Sequence, residues 1–229
     1  MFGSKLPLAN RYARLLAQHG VDRGLIGPRE VDRLWERHLL NSAVISRLVP
    51  ADSRVLDIGS GAGLPGVVLA LARPDLDVVL VDPMARRVRW LEEVIHTLGL
   101  SATVVRGRAE TKEMREALSG ADVVTARAVA PLGRLAEWCL PLLRPRGQLL
   151  AMKGESAAEE LDRDRGQIER AGGAHARIER CGVDVLDVPT TVVVIERTER
   201  RGGRDGRRRA RKDRDGESGR TERRYGCST

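Results

Sequence analysis

Aromatic side chains are nearly missing from this chain of 229 residues, which has three Trp, two Tyr and one Phe. A nucleic-acid platform of stacked aromatics is therefore poorly supplied, and the core must be built from Leu, Val, Ala and Ile. Cysteine is sparse too. Cys139, Cys181 and Cys227 are odd in number, far apart and outside any CxxC pattern, which argues against a disulfide framework or a structural zinc site. The histidines (His19, His38, His96 and His175) are scattered, so metal catalysis has no support. No apolar run approaches the ~18 residues of a membrane span. Residues 1–20 lack the apolar centre of a signal peptide. A cytoplasmic protein with no membrane partner is expected.

Basic charge, by contrast, is abundant. The chain has 40 Lys+Arg against 32 Asp+Glu, a net charge of +8, and residues 199–229 alone hold 12 of the basic and 6 of the acidic residues. That stretch has no hydrophobic period and reads as a disordered basic tail. Two readings are open: an arm that speeds encounter with nucleic acid, or a solubilising extension without a dedicated partner.

Apolar periodicity divides the rest. Residues 5–50 read as helical, with Val31, Leu34, Trp35, His38, Leu39 and Ser42 at 3–4 spacing and Pro50 as the stop. Strands are then expected at 54–58, 77–82, 102–107, 121–126 and 148–152. Helices are expected at 65–72, 84–98, from Leu132 to Leu142, and at 155–171. This alternation predicts an α/β fold: a mostly parallel sheet covered by helices on both faces. Two late strands, near 176–182 and 191–196 and with no clear helix between them, predict an antiparallel edge hairpin. The chain thus divides into a helical segment (1–50), an α/β domain (51–198) and the tail (199–229).

The strongest local signal is Asp57-Ile58-Gly59-Ser60-Gly61-Ala62-Gly63-Leu64-Pro65-Gly66, between an expected strand and an expected helix. Glycines there let the backbone turn tightly and approach a ligand. Asp82 ends the next strand, placed to accept hydrogen bonds from both ribose hydroxyls of a nucleoside. Gly61, Gly63 and Gly66 satisfy the dinucleotide pattern GxGxxG, a weak signal alone. Asp57, Gly59, Gly61 and Gly63 fit DxGxGxG better, the methyltransferase-type spacing. A carboxylate at Asp57 also suits the ammonium of a methionine moiety rather than a pyrophosphate. After the third strand comes Arg106-Gly107-Arg108-Ala109-Glu110. Glu110 is either an acceptor for the adenine amine or an acid favoured at a helix start.

On these motifs the chain resembles the small-subunit ribosomal RNA methyltransferase G family, also called glucose-inhibited division protein B. The resemblance is carried by RHLLNS (37–42), DIGSGAGLPG (57–66), DPMARRVRWL (82–91), and TARAVAPL (125–132) followed by AMKG (151–154). It covers residues 5–197 approximately. It implies a Rossmann-like class I methyltransferase that uses S-adenosyl-L-methionine to methylate guanine N7 in 16S ribosomal RNA, with the RNA or the small ribosomal subunit as partner. A monomer is expected. By motif, cofactor positions fall on Gly59, Leu64, Ala109, Glu110 and Arg127. Upstream, where the family often carries Trp-Asn-x-x-Tyr-Asn-Leu-Thr, residues 23–35 read RGLIGPREVDRLW.

Guanine N7 carries a free lone pair, so its methylation needs no general base, and no catalytic acid–base residue is assigned. The Asn/Asp-Pro-Pro-Tyr/Phe signature of amine methylation is missing; the chain reads Thr125-Ala126-Arg127-Ala128 instead. Arg127 is a candidate for cofactor or RNA, or pairs with Asp57 or Glu110 to shape the pocket. Lys153 and Arg37 are further candidates for RNA contact. His38 is read first as a buried structural histidine, and Trp90, Trp138 and Cys139 as packing residues. Arg86 and Arg87 form either a basic rim or a solvated helix start. Two other functions stay open: a nicotinamide-dependent oxidoreductase, disfavoured by Asp57 and by the lack of a Tyr-x-x-x-Lys pair, and a non-catalytic RNA-binding protein.

Overall fold

The computed structural model describes residues 1–199, and the expected tail, apart from Glu199, lies outside them. Seven strands form one sheet: β1 (Arg54–Ile58), β2 (Asp77–Asp82), β3 (Ala102–Arg106), β4 (Ala121–Arg127), β5 (Leu143–Lys153), β6 (Gly173–Cys181) and β7 (Thr190–Arg197). Their spatial order is β3-β2-β1-β4-β5-β7-β6. The first five pair in parallel, and β7 runs antiparallel between β5 and β6, which is the hairpin expected from the sequence. The order reverses between β1 and β4, and that is where an open α/β sheet leaves a crevice at the carboxyl ends of its strands.

The helices are α1 (Leu6–His19), α2 (Gly66–Ala72), α3 (Ala85–Leu98), α4 (Lys112–Leu118), α5 (Leu132–Cys139) and α6 (Ala157–Arg170). Strand side chains alternate between faces, so the sheet serves two cores. Val55, Val78, Leu80 and Val123 face a core shared with the N-terminal segment, α2 and α3. Leu56, Ile58, Val79, Val81 and Val124 face a second core shared with α4, α5 and α6. Among the described residues, no helix is long and apolar enough to cross a membrane.

Three local expectations are corrected. The N-terminal segment is not one helical run: α1 stops at His19, and Gly24 adopts a left-handed φ of 62°. Helical structure resumes as a 3-10 stretch, Pro28–Arg33, then a π-helical stretch, Leu34–Leu40, one α-turn and a second 3-10 stretch, Val44–Leu48. Glycine and proline in GLIGP make this break. Helix α4 was not expected from the sequence. It is seven residues long, too short for a clear 3.6 period, and starts where the Thr111 hydroxyl accepts from the Met114 N–H at 3.4 Å. Strand β5 begins five residues earlier than expected, in an irregular stretch where Arg146 has φ of 63°.

Candidate functional site

The glycine loop leaves β1 and crosses the carboxyl end of β2. The N–H groups of Gly59 and Ser60 both donate to the Val81 carbonyl, at 2.8 and 3.1 Å. The Ser60 hydroxyl accepts from the Val81 N–H and donates to the Asp57 carbonyl, at 3.1 and 2.8 Å. At Gly63, φ is +106°, and an added Cβ would lie 2.6 Å from Val67 Cγ2 and 2.8 Å from the Tyr12 hydroxyl. Only glycine fits there. At Gly61, φ is +56°, and an added Cβ would meet only the Gly59 carbonyl at 3.7 Å, so the loop is uncrowded at that point.

Two buried aromatics clamp the loop. The Tyr12 hydroxyl and the Trp90 indole N–H both donate to the Ala62 carbonyl, at 2.8 and 2.9 Å. Burial, with Asp57 nearby, pushes the Tyr12 hydroxyl well above the usual tyrosine range, so it stays a donor. Trp90 is thus a loop-holding residue as well as the packing residue expected. Tyr12 is not legible as a site residue from the sequence: its partner is 50 positions away, and no local spacing announces it.

Asp57 is fully buried. It is paired in register with Thr125 across β1 and β4, so both side chains project from one face. The Thr125 hydroxyl donates to Oδ1 at 3.0 Å, and the Gly66 N–H at the start of α2 donates to Oδ2 at 3.1 Å. Burial lifts Asp57 to about 6, against the pull of the Thr125 and Ser60 hydroxyls and the Gly66 N–H, while Asp82 adds to the rise. With both oxygens engaged inside the protein, Asp57 acts on its surroundings chiefly through charge.

Asp82, also fully buried, accepts from the N–H groups of Met84 (Oδ1, 2.9 Å) and Gly61 (Oδ2, 3.1 Å). Arg87 lies 3.5 Å from Oδ2, which places it at the site rather than on a solvated helix start. Two N–H donors and one guanidinium leave lone-pair capacity on a carboxylate that can take about four hydrogen bonds. Ala109 is buried beyond β3, and Glu110, half-buried beside it, lies 3.6 Å from the exposed Arg108.

Arg127 shares a sheet face with Thr125, two residues before it on β4. It pairs with neither Asp57 nor Glu110. Its Nη2 donates to the Arg37 carbonyl at 3.3 Å and meets His38 Nδ1 at 2.7 Å. Its Nη1 is buried without a hydrogen-bond partner among the described residues. Burial lowers its pKa, with Tyr12, Glu30 and Asp57 opposing. His38 is buried, as expected, and its Nε2 lies 2.8 Å from Glu30.

A cavity of about 880 Å³ opens beside Arg127, with Arg33, Arg37, Lys153 and Arg180 among the cations on its wall and Glu36, Glu155 and Glu160 among the acids. Lys153, expected to reach RNA phosphate, has its ammonium held by the Ala130 carbonyl and by Glu160, each at 2.8 Å. Burial works against ionised Glu160, but Lys153 and the Leu132 N–H outweigh it, and its pKa is lowered. Arg37 is exposed and bound to Glu30 at 3.1 Å. The structure therefore brings Asp57, the glycine loop, Asp82, Ala109, Glu110 and Arg127 to one sheet edge, with Arg37 and Lys153 on the adjoining cavity.

Comparison with known proteins identifies the family and the fold. Residues 5–187 match the family model described as rRNA small subunit methyltransferase G. The chain is 56% identical over 202 residues to Ribosomal RNA small subunit methyltransferase G of Mycobacterium marinum, covering 88% of this chain and 89% of the relative. It is 54% identical to the protein of the same name from Rhodococcus jostii, covering 88% of each. Among solved structures, it resembles Aeropyrum pernix fibrillarin in complex with S-adenosyl-L-methionine, with TM-score 0.51, 18% identity, and coverage of 68% of this chain and 73% of that one. It also resembles the [4+2]-cyclase SpnF, with TM-score 0.54, 15% identity, and coverage of 69% and 80%. A cyclase on the same fold shows that the fold alone does not decide the reaction.

Proposed function

The chain belongs to the rRNA small subunit methyltransferase G family, and from that premise we propose that it transfers a methyl group from S-adenosylmethionine to N7 of a guanine in 16S ribosomal RNA. The observation that carries this reading is the family match over residues 5–187, which spans every residue of the site just described. The donor set suits the cofactor. The open backbone at Gly61, the buried carboxylates of Asp57 and Asp82, and the Nη1 of Arg127, unpartnered among the described residues, offer acceptors, negative charge and one spare donor. A pyrophosphate would meet two carboxylates there, which disfavours a nicotinamide cofactor.

S-adenosylmethionine supplies a methyl group on a sulfonium. In this reading Asp82 holds the ribose, Ala109 and Glu110 hold the adenine, and Asp57 favours the cationic methionine end. Gly59, Gly61, Gly63 and Leu64 form the floor of the site. Arg127 sits between cofactor and RNA, and the exposed cations of the adjoining cavity, Arg33 and Arg37, take RNA phosphate; Lys153 joins them only by giving up its ion pair with Glu160. Guanine N7 attacks with its own lone pair, so no residue has to remove a proton. Rate enhancement then comes from alignment and exclusion of water. The enzyme is read as a cytoplasmic monomer, with residues 1–50 and 51–198 together forming the site.

The test is transfer of labelled methyl groups to small subunits, free 16S RNA and total tRNA, with calorimetric titration of S-adenosylhomocysteine and NADH alongside. Incorporation into 16S RNA with binding of the first ligand is expected. No incorporation into any RNA would favour a non-catalytic RNA-binding protein, and NADH binding alone would favour the oxidoreductase.

A further inference from the structure

We propose that His38 is a positioning residue for Arg127: its Nδ1 accepts the hydrogen bond that fixes the guanidinium at the end of β4, and Glu30 sets the ring tautomer that makes this possible. The proposal rests on the reaction proposed above. A guanidinium has donors and no acceptor, so at the 2.7 Å contact His38 Nδ1 must accept from Arg127 Nη2. The ring proton then sits on Nε2, 2.8 Å from a Glu30 carboxylate oxygen that accepts it. Both contacts require the same tautomer of a neutral ring.

A doubly protonated ring would set N–H against N–H at Arg127. The charged groups facing His38 are Arg127 from β4, Glu30 from the Pro28–Arg33 stretch and Arg37 from its own stretch; Glu30 alone favours the imidazolium. Burial and Arg127 lower the His38 pKa, and Glu30 only partly offsets them. The neutral ring is therefore the working form near neutral pH, and acid removes the acceptor.

The guanidinium is planar and rigid. Anchoring Nη2 to His38 and to the Arg37 carbonyl therefore sets where Nη1 points. Among the described residues Nη1 is left buried without a partner, so it is the donor that the anchored plane keeps free for a ligand. Glu30, Arg37 and His38 all come from residues 28–40, which ties the N-terminal segment to the site. Arg37 and His38 lie in the π-helical stretch, a geometry that recurs at functional positions.

Two substitutions separate positioning from packing. In His38→Asn the amide oxygen falls near the place of Nδ1 and keeps an acceptor for Arg127. In His38→Gln it reaches the place of Nε2 and does not. At pH 7.5, H38N should keep kcat/KM for RNA methylation near wild type, while H38Q should fall about a hundredfold, the scale of a misplacement of about 1 Å. At saturating S-adenosylmethionine, which offsets the weaker cofactor binding that protonation of Asp57 brings, wild-type kcat should decline as pH drops through the His38 titration, below the ordinary histidine value, and H38N should lack that decline. A nitrogen-15 spectrum of the wild-type ring should show Nδ1 unprotonated and Nε2 protonated. Equal effects of the two substitutions in well-folded variants, or a protonated Nδ1, would overturn the proposal. Should wild type methylate no RNA, the proposed reaction fails, and the ring spectrum still decides the tautomer on which His38's role depends.

Discussion

Replacing Asp57 with Asn should make this protein more stable and less able to bind its cofactor. Asp57 is fully buried, and its pKa rises from 3.8 to about 6. Each unit is about 1.36 kcal/mol, so burying the charge costs about 3 kcal/mol. Because the folded pKa is raised, the native state keeps its proton while the unfolded chain loses it. The contribution to stability is thus complete below pH 3.8 and is lost as pH rises to about 6. Asn removes the charge and keeps both contacts, its oxygen accepting from Gly66 and its amide donating to the Thr125 hydroxyl. In urea unfolding between pH 4.5 and 8, the gap between variant and wild type should widen up to pH ~6 and then level near 3 kcal/mol. That corresponds to a Tm higher by roughly 6–12 °C for a domain of this size. S-adenosylhomocysteine affinity should fall at the same time. A variant less stable than wild type at pH 8, or a gap independent of pH, would refute the reasoning.

Three other outcomes are expected. Gly63→Ala places a Cβ against Val67 and the Tyr12 hydroxyl at a left-handed φ; strain and overpacking should cost about 2–4 kcal/mol, read by urea unfolding, with cofactor affinity falling too. Tyr12→Phe alone should cost about 1 kcal/mol, because the Ala62 carbonyl keeps one donor, and Trp90→Phe about 2–3 kcal/mol, because it also leaves a cavity in place of a fully buried indole. The double variant should exceed the sum by about 1 kcal/mol or more, as it leaves that buried carbonyl unsatisfied; strict additivity in a double-mutant cycle would count against the clamp. Removing residues 199–229 should leave S-adenosylhomocysteine binding unchanged and weaken RNA association, with a shallower salt dependence in a filter-binding titration.

The sheet was legible because each parallel strand is a short apolar run, and β1 and β2 end in the acids that mark the site. Asp57, the glycine loop and Asp82 could be placed on one edge from spacing alone, and the hairpin at β6 and β7 followed from two runs without a helix between them. What stayed hidden is carried by contacts across long sequence separations. Thr125, which holds Asp57, lies 68 positions away, and His38 meets Arg127 across 89. Neither pairing leaves a local pattern. Lys153 read as a free cation because its counter-ion, Glu160, sits on the next helix, looking like any solvated acid in a polar run. The N-terminal segment reads as continuous helix because its apolar residues do recur at helical spacing; its glycines break the run without erasing that signal.

The central claim is that this site methylates guanine N7 in 16S ribosomal RNA. Small subunits from cells lacking the modification, incubated with the purified chain and S-adenosylmethionine, should acquire one new site of chemical cleavage specific for 7-methylguanosine, and that site should not form with the Arg127→Ala protein. Methyl incorporation without such cleavage, or equal cleavage with the Arg127 variant, would contradict it.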